Sequence, residues 1–329
     1  MRLKESKDAP LVGQWFLGPS VIGLGAMASK LGHKASWLSK ARRPGQWHQD
    51  SEVISCDELQ RADSLLRSRL SAKEISQYWE KHSFQESPTV WTLSAAAPSP
   101  LEILKLGSEM SLLDSNAYVF GVREYATTLR VTIYPIVPLS TWQHVMLLQQ
   151  LALGYPAMLG TQDAVASIHI EDQQLTVGEL IDFKPKPGSV SKASQVVFKA
   201  DALSVENPFA SSGWEIITRS IVSPMVAMRL KQQSASYRVV KALVDSYAGG
   251  LPLDMVAIAD LLFLEKSTLR RRLKDESTAF SRLLSQFRCQ EARLRLQIGD
   301  TPIDVAHALG YDSLVSLKRL LKSASCEAL

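Results

Sequence analysis

Residues 253–274 read LDMVAIADLLFLEKSTLRRRLK, and this stretch decides how the last third of the chain is interpreted. Asp254 is a suitable N-cap for a short helix whose inner face is apolar. A tight turn then leads to a second short helix over about residues 266–274, with Leu269 and Leu273 facing inward. The stretch therefore predicts two short helices that pack at a steep angle, which is a helix-turn-helix unit.

The second of these helices carries basic and polar side chains outward. The candidates for contact with DNA are Lys266, Ser267, Thr268, Arg270, Arg271 and Lys274. An arginine can donate two hydrogen bonds to guanine O6 and N7, or it can bind a phosphate. A basic run is often no more than a solvated helix face. Within a helix-turn-helix frame, however, it predicts a helix that enters the major groove.

A similar unit follows at the end of the chain. Thr301 is a suitable N-cap with Pro302 directly after it, and Gly310 turns the chain after the first helix. The second helix offers a further set of candidates for contact with DNA: Ser316, Lys318, Arg319 and Lys322. Residues 280–298 read as one long helix, which would fix the spacing of the two units.

The paired units resemble the DNA-binding module of the AraC/XylS family. The resemblance lies in STLRRRLK at 267–274 and in DVAHALGY at 304–311. After these runs, Arg319, Leu321 and Lys322 fall where the family pattern has Arg, an apolar residue and Lys. The resemblance covers about the last hundred residues, a domain-sized unit. It implies two helix-turn-helix units joined by a long helix, in a regulator of transcription.

The chain departs from that family pattern at several positions. Phe263 stands where the family usually has Gly in the first turn between helices, and that turn is expected to differ because a bulky residue strains left-handed backbone. Ser277 likewise replaces a customary Gly after the helix that follows. Leu314 and Val315 occupy positions that are commonly polar base readers, although a thymine methyl group would suit them. The sequence stops at Leu329, about where the family begins a closing segment, so the second unit is expected to bind weakly.

The first two-thirds of the chain mixes helical and strand-like patterns. Residues 118–137 alternate as strands do, and residues 142–153 read as an amphipathic helix beside them. Further strands are expected at 164–170 and 196–198, whereas residues 11–113 are expected to be mostly helical. These patterns predict an α+β N-terminal domain.

Composition places the boundaries between the domains. Around residues 231–236 the chain becomes polar and small, which predicts a linker over residues 226–236. The predicted organisation is an α+β domain over residues 1–225, this linker, and an all-α domain over residues 237–329 with two helix-turn-helix units joined by a long helix. We expect the last domain to bind DNA.

The N-terminal part resembles the α+β effector domain of one AraC-type subfamily, the one with an arabinose-binding-like domain. The resemblance rests on VFKADAL at 197–203 and on Pro208 and Phe209. It implies a domain that senses a small molecule and pairs two copies of the chain. The ligand itself does not transfer by resemblance. No residue is singled out as binding an effector, since the tryptophans are more commonly core residues.

The net charge does not decide between classes of partner, and the spacing of the cysteines and histidines indicates neither a disulfide nor a metal site. A net charge of +4 is compatible with a polyanionic partner, but many proteins without one are equally basic. The cysteines, Cys56, Cys289 and Cys326, form no CxxC pair and are expected to be free thiols. Neither they nor the histidines show a metal-ligand spacing, so no metal is predicted.

No cofactor or enzymatic activity is predicted either. Residues 23–28, GLGAMA, lack the third glycine and the preceding strand of a dinucleotide-binding loop, so a turn between helices is favoured. A nucleophile with a base, a phosphate loop or paired carboxylates cannot be identified by spacing. An enzyme is therefore the weakest of the functional classes.

The N-terminus imitates a secretory signal, with basic residues before an apolar stretch that ends in Ala26-Met27-Ala28. Asp8 and Pro19 interrupt that stretch, and a DNA-binding module would be useless after export, so a cytoplasmic location is expected. No other segment has the ~20 apolar residues of a membrane span.

Together these features predict a bacterial homodimeric regulator that binds promoter or operator DNA. A small-molecule effector and RNA polymerase are further candidate partners, and no membrane is involved. The alternative is a non-DNA-binding interaction protein derived from such a regulator. Phe263 and the early end of the chain motivate that alternative.

Overall fold

The computed structural model describes most of the chain after residue 95. The described ranges are 96–113, 115–137, 139–156, 160–186 and 190–323, with short pieces at 15–17, 53–55, 70–71, 73–74 and 77. Most of the helices expected between residues 11 and 95, and the turn at 23–28, lie outside the described residues. Within that region, strand β1 (Trp15–Leu17) pairs antiparallel with β2 (Val53–Ser55).

The described N-terminal part is built on one antiparallel sheet. Its strands are β3 (Tyr118–Glu124), β4 (Thr128–Pro135), β6 (Val165–Ile170), β7 (Gln173–Leu175) and β9 (Ser194–Lys199), in the spatial order β3-β4-β9-β6-β7. A small second sheet pairs β5 (Leu139–Ser140) with β8 (Val190–Ser191). The helices of this part are α1 (Pro100–Met110), α2 (Thr141–Gln149), which runs into a π-helical segment, and α3 (Val177–Asp182).

The alternation of β4 gives the sheet two different faces. Leu129, Val131 and Ile133 point to one side, where they join the core formed with α1, α2 and α3. Arg130 and Tyr134 fall on the other side because successive side chains of a strand alternate. The sheet therefore has one predominantly apolar face and one face that mixes apolar and polar residues.

The rest of the described chain is helical. It contains α4 (Ser212–Gln232), α5 (Ala235–Ala248), α6 (Met255–Leu261), α7 (Lys266–Asp275), α8 (Phe280–Gln297), α9 (Pro302–Ala308) and α10 (Leu314–Lys322). An α+β part is thus followed by a helical part, in the predicted order.

The segment expected to be an irregular linker, residues 226–236, is largely helical. Residues 226–232 form the last turns of α4, and α5 begins at Ala235. The break between them is held in place, because Asn116 donates a hydrogen bond to Gln233 and the Ser234 hydroxyl caps α5. The domain boundaries at 225 and 237 stay a prediction.

Helices α5 and α8 cover the mixed face of the sheet. A second apolar cluster joins Val119 and Tyr134 of the sheet to Leu243 of α5 and Phe287 of α8. The approach is close at Gly121, where an added Cβ would lie 2.9 Å from Cγ1 of Val244 in α5. The helical part therefore packs directly on the sheet.

Three of the chemical expectations concern the described residues. Cys289, buried in α8, is disulfide-bonded, so the expectation of free thiols is wrong for this residue. Across the described ranges, no group of three His, Cys, Asp or Glu side chains is placed to hold a metal ion. In the same ranges, no helix is both long and apolar enough to cross a membrane.

Candidate nucleic-acid interface

Helices α6 and α7 form a first helix pair. Asp254 begins it as predicted, since Oδ1 accepts hydrogen bonds from the backbone N–H of Val256 at 2.7 Å and of Ala257 at 3.1 Å. Such a cap satisfies donors that a helix start would otherwise leave open. Ile258 of α6 and Leu269 of α7 are fully buried between the two helices and their neighbours.

The turn inside this pair contains Phe263 in a left-handed conformation, with φ of 54°. The N–H of Phe263 donates to the carbonyl of Asp260 at 3.0 Å, and the N–H of Leu264 donates to that of Ala259 at 2.9 Å. These two bonds form a Schellman motif, which closes the end of α6.

Helices α9 and α10 form a second helix pair with the same turn. Gly310 has φ of 73°. Its N–H donates to the carbonyl of His307 at 3.0 Å, and the N–H of Tyr311 donates to the carbonyl of Ala306 at 2.9 Å. The expectation that the first turn differs is therefore wrong. Phe263 adopts the left-handed backbone that Gly310 adopts, and at 94% exposure the residue extends into solvent.

Helix α7 presents most of its predicted DNA-contacting side chains to solvent. Lys266, Ser267, Arg270, Arg271 and Lys274 are exposed, and Thr268 is half-buried. Leu269 and Leu273 are buried on the opposite side, as the helical period requires. The three cations Arg270, Arg271 and Lys274 form no salt bridge with a carboxylate of the described residues. They are therefore available to an outside anion.

Helix α10 has a similar arrangement. Lys318, Arg319 and Lys322 are exposed and Ser316 is half-buried, while Leu317 and Leu320 are buried. Ser313 caps the helix and accepts a hydrogen bond from the N–H of Ser316 at 3.4 Å.

Two apolar side chains stand beside the cations of α10. Val315 is 64% exposed and Leu314 is 36% exposed. Exposed apolar groups at the start of this helix are compatible with contact to thymine methyl groups.

Helix α8 joins the two pairs, and each pair is tied to its surroundings by a polar contact. The carboxylate of Glu276 after α7 accepts the N–H of Ala235 at 2.5 Å and of Ser236 at 2.9 Å, which anchors the first pair to α5. In the second pair, the guanidinium of Arg288 lies 4.9 Å from the ring centre of Tyr311. Both exposed basic helices are thus held on one frame, which consists of α5 and α8.

A polar cluster that the sequence analysis missed connects this frame to the sheet. Asp300, between α8 and α9, accepts two hydrogen bonds from Arg130 of β4, at 3.3 and 3.2 Å, and one from Arg295 of α8 at 2.5 Å. Beside it, the Tyr134 hydroxyl donates to Glu291 of α8. The sequence does show charged residues on the side of α8 that is buried, which could have indicated a buried polar contact. Nothing in the sequence, however, indicates that Asp300 pairs with a residue of a strand 170 positions away.

Burial and hydrogen bonding shift the carboxyl groups of this cluster in opposite directions. Desolvation raises the pKa of Glu291 above its ordinary value, although Tyr134 and Tyr247 donate to it. Desolvation would also raise the pKa of Asp300, but the hydrogen bonds from Arg130 and Arg295 outweigh it and hold the pKa below the ordinary value. Asp300 is therefore the firmly ionised partner of the two arginines.

Two further polar features do not form a reaction centre or an effector site of useful size. Ser194 Oγ lies 2.7 Å from His144 Nδ1, but both residues are fully buried, and desolvation lowers the pKa of His144 to about 3. A cavity between the sheet and α5, beside Arg123 and Gln195, has a volume of about 10 Å³. That volume suits a single water molecule.

Comparison with known proteins adds little to this geometry. No protein-family model matches the chain, and no curated protein matches it. Among solved structures, the crystal structure of transcriptional regulator CdpR from Pseudomonas aeruginosa is similar at 17% sequence identity and a TM-score of 0.40, over 94% of this chain and 96% of that chain. A TM-score below 0.5 does not establish a shared fold, so the functional proposal rests on the residues of this chain.

Proposed function

We propose that this chain is a sequence-specific DNA-binding regulator of transcription of the AraC type. The observation that carries the proposal is the doubled helix pair. Each pair has a capped first helix, the same left-handed turn and a second helix with exposed cations. In this proposal each pair is a helix-turn-helix unit whose second helix enters a major groove.

The two units have unequal roles. Helix α7 supplies most of the base contacts through Arg270 and Arg271, whose guanidinium groups can donate bidentately to guanine. Helix α10 has Arg319 beside the apolar Leu314 and Val315, and it mainly positions the protein on the phosphate backbone. The exposure of all these side chains supports this assignment.

We also propose that the regulator is a homodimer paired through α4. This helix exposes an apolar stripe, which comprises Trp214, Ile217, Ile221, Met225 and Met228. The spacing of three, four, four and three residues keeps these side chains on one face, as in the seam between two packed helices. A stripe of this kind favours a second copy of the same helix as its partner, because two such seams are self-complementary.

The other proposed partners have less support from the geometry. A small-molecule effector of the N-terminal part and RNA polymerase remain part of the proposal, as does a cytoplasmic location. The subfamily resemblance supports the effector. The water-sized cavity beside Arg123 does not by itself provide a site for it.

The test of DNA binding is a gel-shift assay with the promoter region of the gene that encodes this chain. Arg270→Glu should weaken binding by at least about 100-fold, because it removes a base contact and adds repulsion from phosphates. Lys199→Glu is the matched control, since Lys199 is exposed at the end of β9 in the sheet. Equal affinity of the Arg270→Glu variant and the control would refute the proposed role of α7.

The alternative is an interaction protein that does not bind DNA. One of the two observations that supported it no longer does so, since Phe263 adopts the same turn as Gly310. Salt dependence separates the two functions. For a regulator, the logarithm of the binding constant should fall linearly with the logarithm of the salt concentration. The slope should correspond to several phosphate contacts. Absence of any salt-dependent binding to promoter fragments would favour the alternative.

A further inference from the structure

Arg130 lies near the start of β4, far in sequence from the helix pairs, yet it contacts the junction that starts the second pair. Its two terminal nitrogens donate to the two carboxylate oxygens of Asp300 at 3.3 and 3.2 Å. The Arg130 side chain is 11% exposed and that of Asp300 is 18% exposed. A bidentate, largely desolvated pair of this kind fixes orientation as well as distance.

Both members of the pair are themselves held in place. The guanidinium of Arg130 lies 3.7 Å from the ring centre of Tyr125, which fixes its plane. Asp300 also accepts from Arg295, and its backbone N–H donates to the carbonyl of Arg295 at 3.0 Å after Gly299 turns the chain with φ of 89°. The junction between α8 and α9 is therefore held by hydrogen bonds from α8 and from the sheet.

The next residue, Thr301, is the N-cap of α9. Asp300 therefore lies directly before the first turn of α9, where a contact that holds its side chain can influence the direction in which α9 leaves the junction. The first pair has a different anchor, because Glu276 ties it to α5. The two pairs are consequently fixed to the molecule by independent polar contacts.

We infer that Arg130 is a positioning residue for the second helix pair: the sheet grips Asp300 through Arg130 and so sets where the cations of α10 lie relative to those of α7. This inference rests on the proposed function. It assigns to a strand of the N-terminal part a role in the geometry of DNA recognition. Loss of Arg130 should release the second pair and leave the first pair in place.

The first test is independent of DNA. Hydrogen exchange in the full chain is compared between wild type and Arg130→Gln over residues 299–309 and over the matching segment of the first pair, residues 252–262. Exchange should become about tenfold faster in the first segment and stay unchanged in the second, because a charge-assisted contact at the junction is lost. Equal acceleration in both segments, or in neither, would overturn the inference.

The second test uses a hydroxyl-radical footprint on a DNA fragment that the wild type protects. Arg130→Gln should lose protection of the DNA segment that Arg319→Glu also loses, and keep protection of the segment that Arg319→Glu keeps. Arg130→Lys should restore part of the protection, since it keeps one charged donor. Uniform weakening of the footprint would indicate a merely structural role for Arg130. Lack of a wild-type footprint would count against the proposed function, and the exchange result would still decide the inference.

Discussion

At the scale of single residues, Phe263 shows how a turn can override the preference of a side chain. A phenylalanine rarely adopts positive φ because its Cβ crowds the backbone. Here the Schellman bonds to Asp260 and Ala259 hold the backbone at φ of 54°, and the ring extends into solvent. The strain at Phe263 is offset by the packing of the two helices on either side of the turn.

Phe263→Gly should therefore stabilise the protein. The substitution removes left-handed strain and loses almost no packing, so we expect the free energy of unfolding to rise by about 1 kcal/mol. Urea denaturation checks the change. Gly310→Ala is the matched control at the equivalent turn, and it should destabilise, because its Cβ would lie 3.2 Å from Arg288 at positive φ. A destabilised Phe263→Gly variant would show that the exposed ring has a packing role.

At the scale of secondary-structure elements, α8 is both a connector and a buried polar helix. It joins the two helix pairs, and it turns Glu291 and Arg295 toward the sheet. A buried carboxyl group at such a contact is costly unless its partners satisfy it. Tyr134 and Tyr247 donate to Glu291, yet desolvation still raises its pKa.

The raised pKa of Glu291 makes the stability of the protein depend on pH. The folded state holds the proton more tightly than the unfolded state, so stability falls as the pH rises from the ordinary value of 4.5 through the raised value. Glu291→Gln does not titrate, and its melting temperature should gain on that of wild type as the pH rises from about 4.5 to 8. Thermal melts at several pH values measure the difference. A difference that is constant, or that shrinks with rising pH, would contradict the raised pKa.

At the scale of the whole molecule, the sheet is shared by two cores. One face packs on α1, α2 and α3, and the other packs on α5 and α8 of the helical part. The DNA-binding helices proposed here are therefore mounted on the N-terminal part, whereas α4 leaves its apolar stripe uncovered.

The stripe on α4 leads to a prediction about oligomeric state. Ile221→Glu, which places a charge in the middle of the stripe, should convert a dimer into a monomer in sedimentation velocity. Ile216→Glu is the matched control, because Ile216 is 66% exposed on the same helix but points away from the stripe. A dimer that survives the Ile221 change, or that both changes disrupt equally, would place the interface elsewhere.

The sequence by itself determined the features that depend on neighbours a few positions apart. The caps at Asp254 and Thr301, the long helix α8 and the inward leucines of α7 follow from local hydrogen bonding and helical periodicity, and the structure has them where they were predicted. The exposure of most of the candidate DNA-contacting side chains follows from the same periodicity.

Only the tertiary structure decided the features that depend on distant partners. The continuation of α4 through residues 226–232, the left-handed turn at Phe263 and the Arg130–Asp300 contact each depend on what packs or does not pack beside them. A pair of charges 170 positions apart has no local signal, because its energy exists only once the sheet and α8 have come together. Local rules therefore fixed which helices form, and long-range packing fixed how the second helix pair is held.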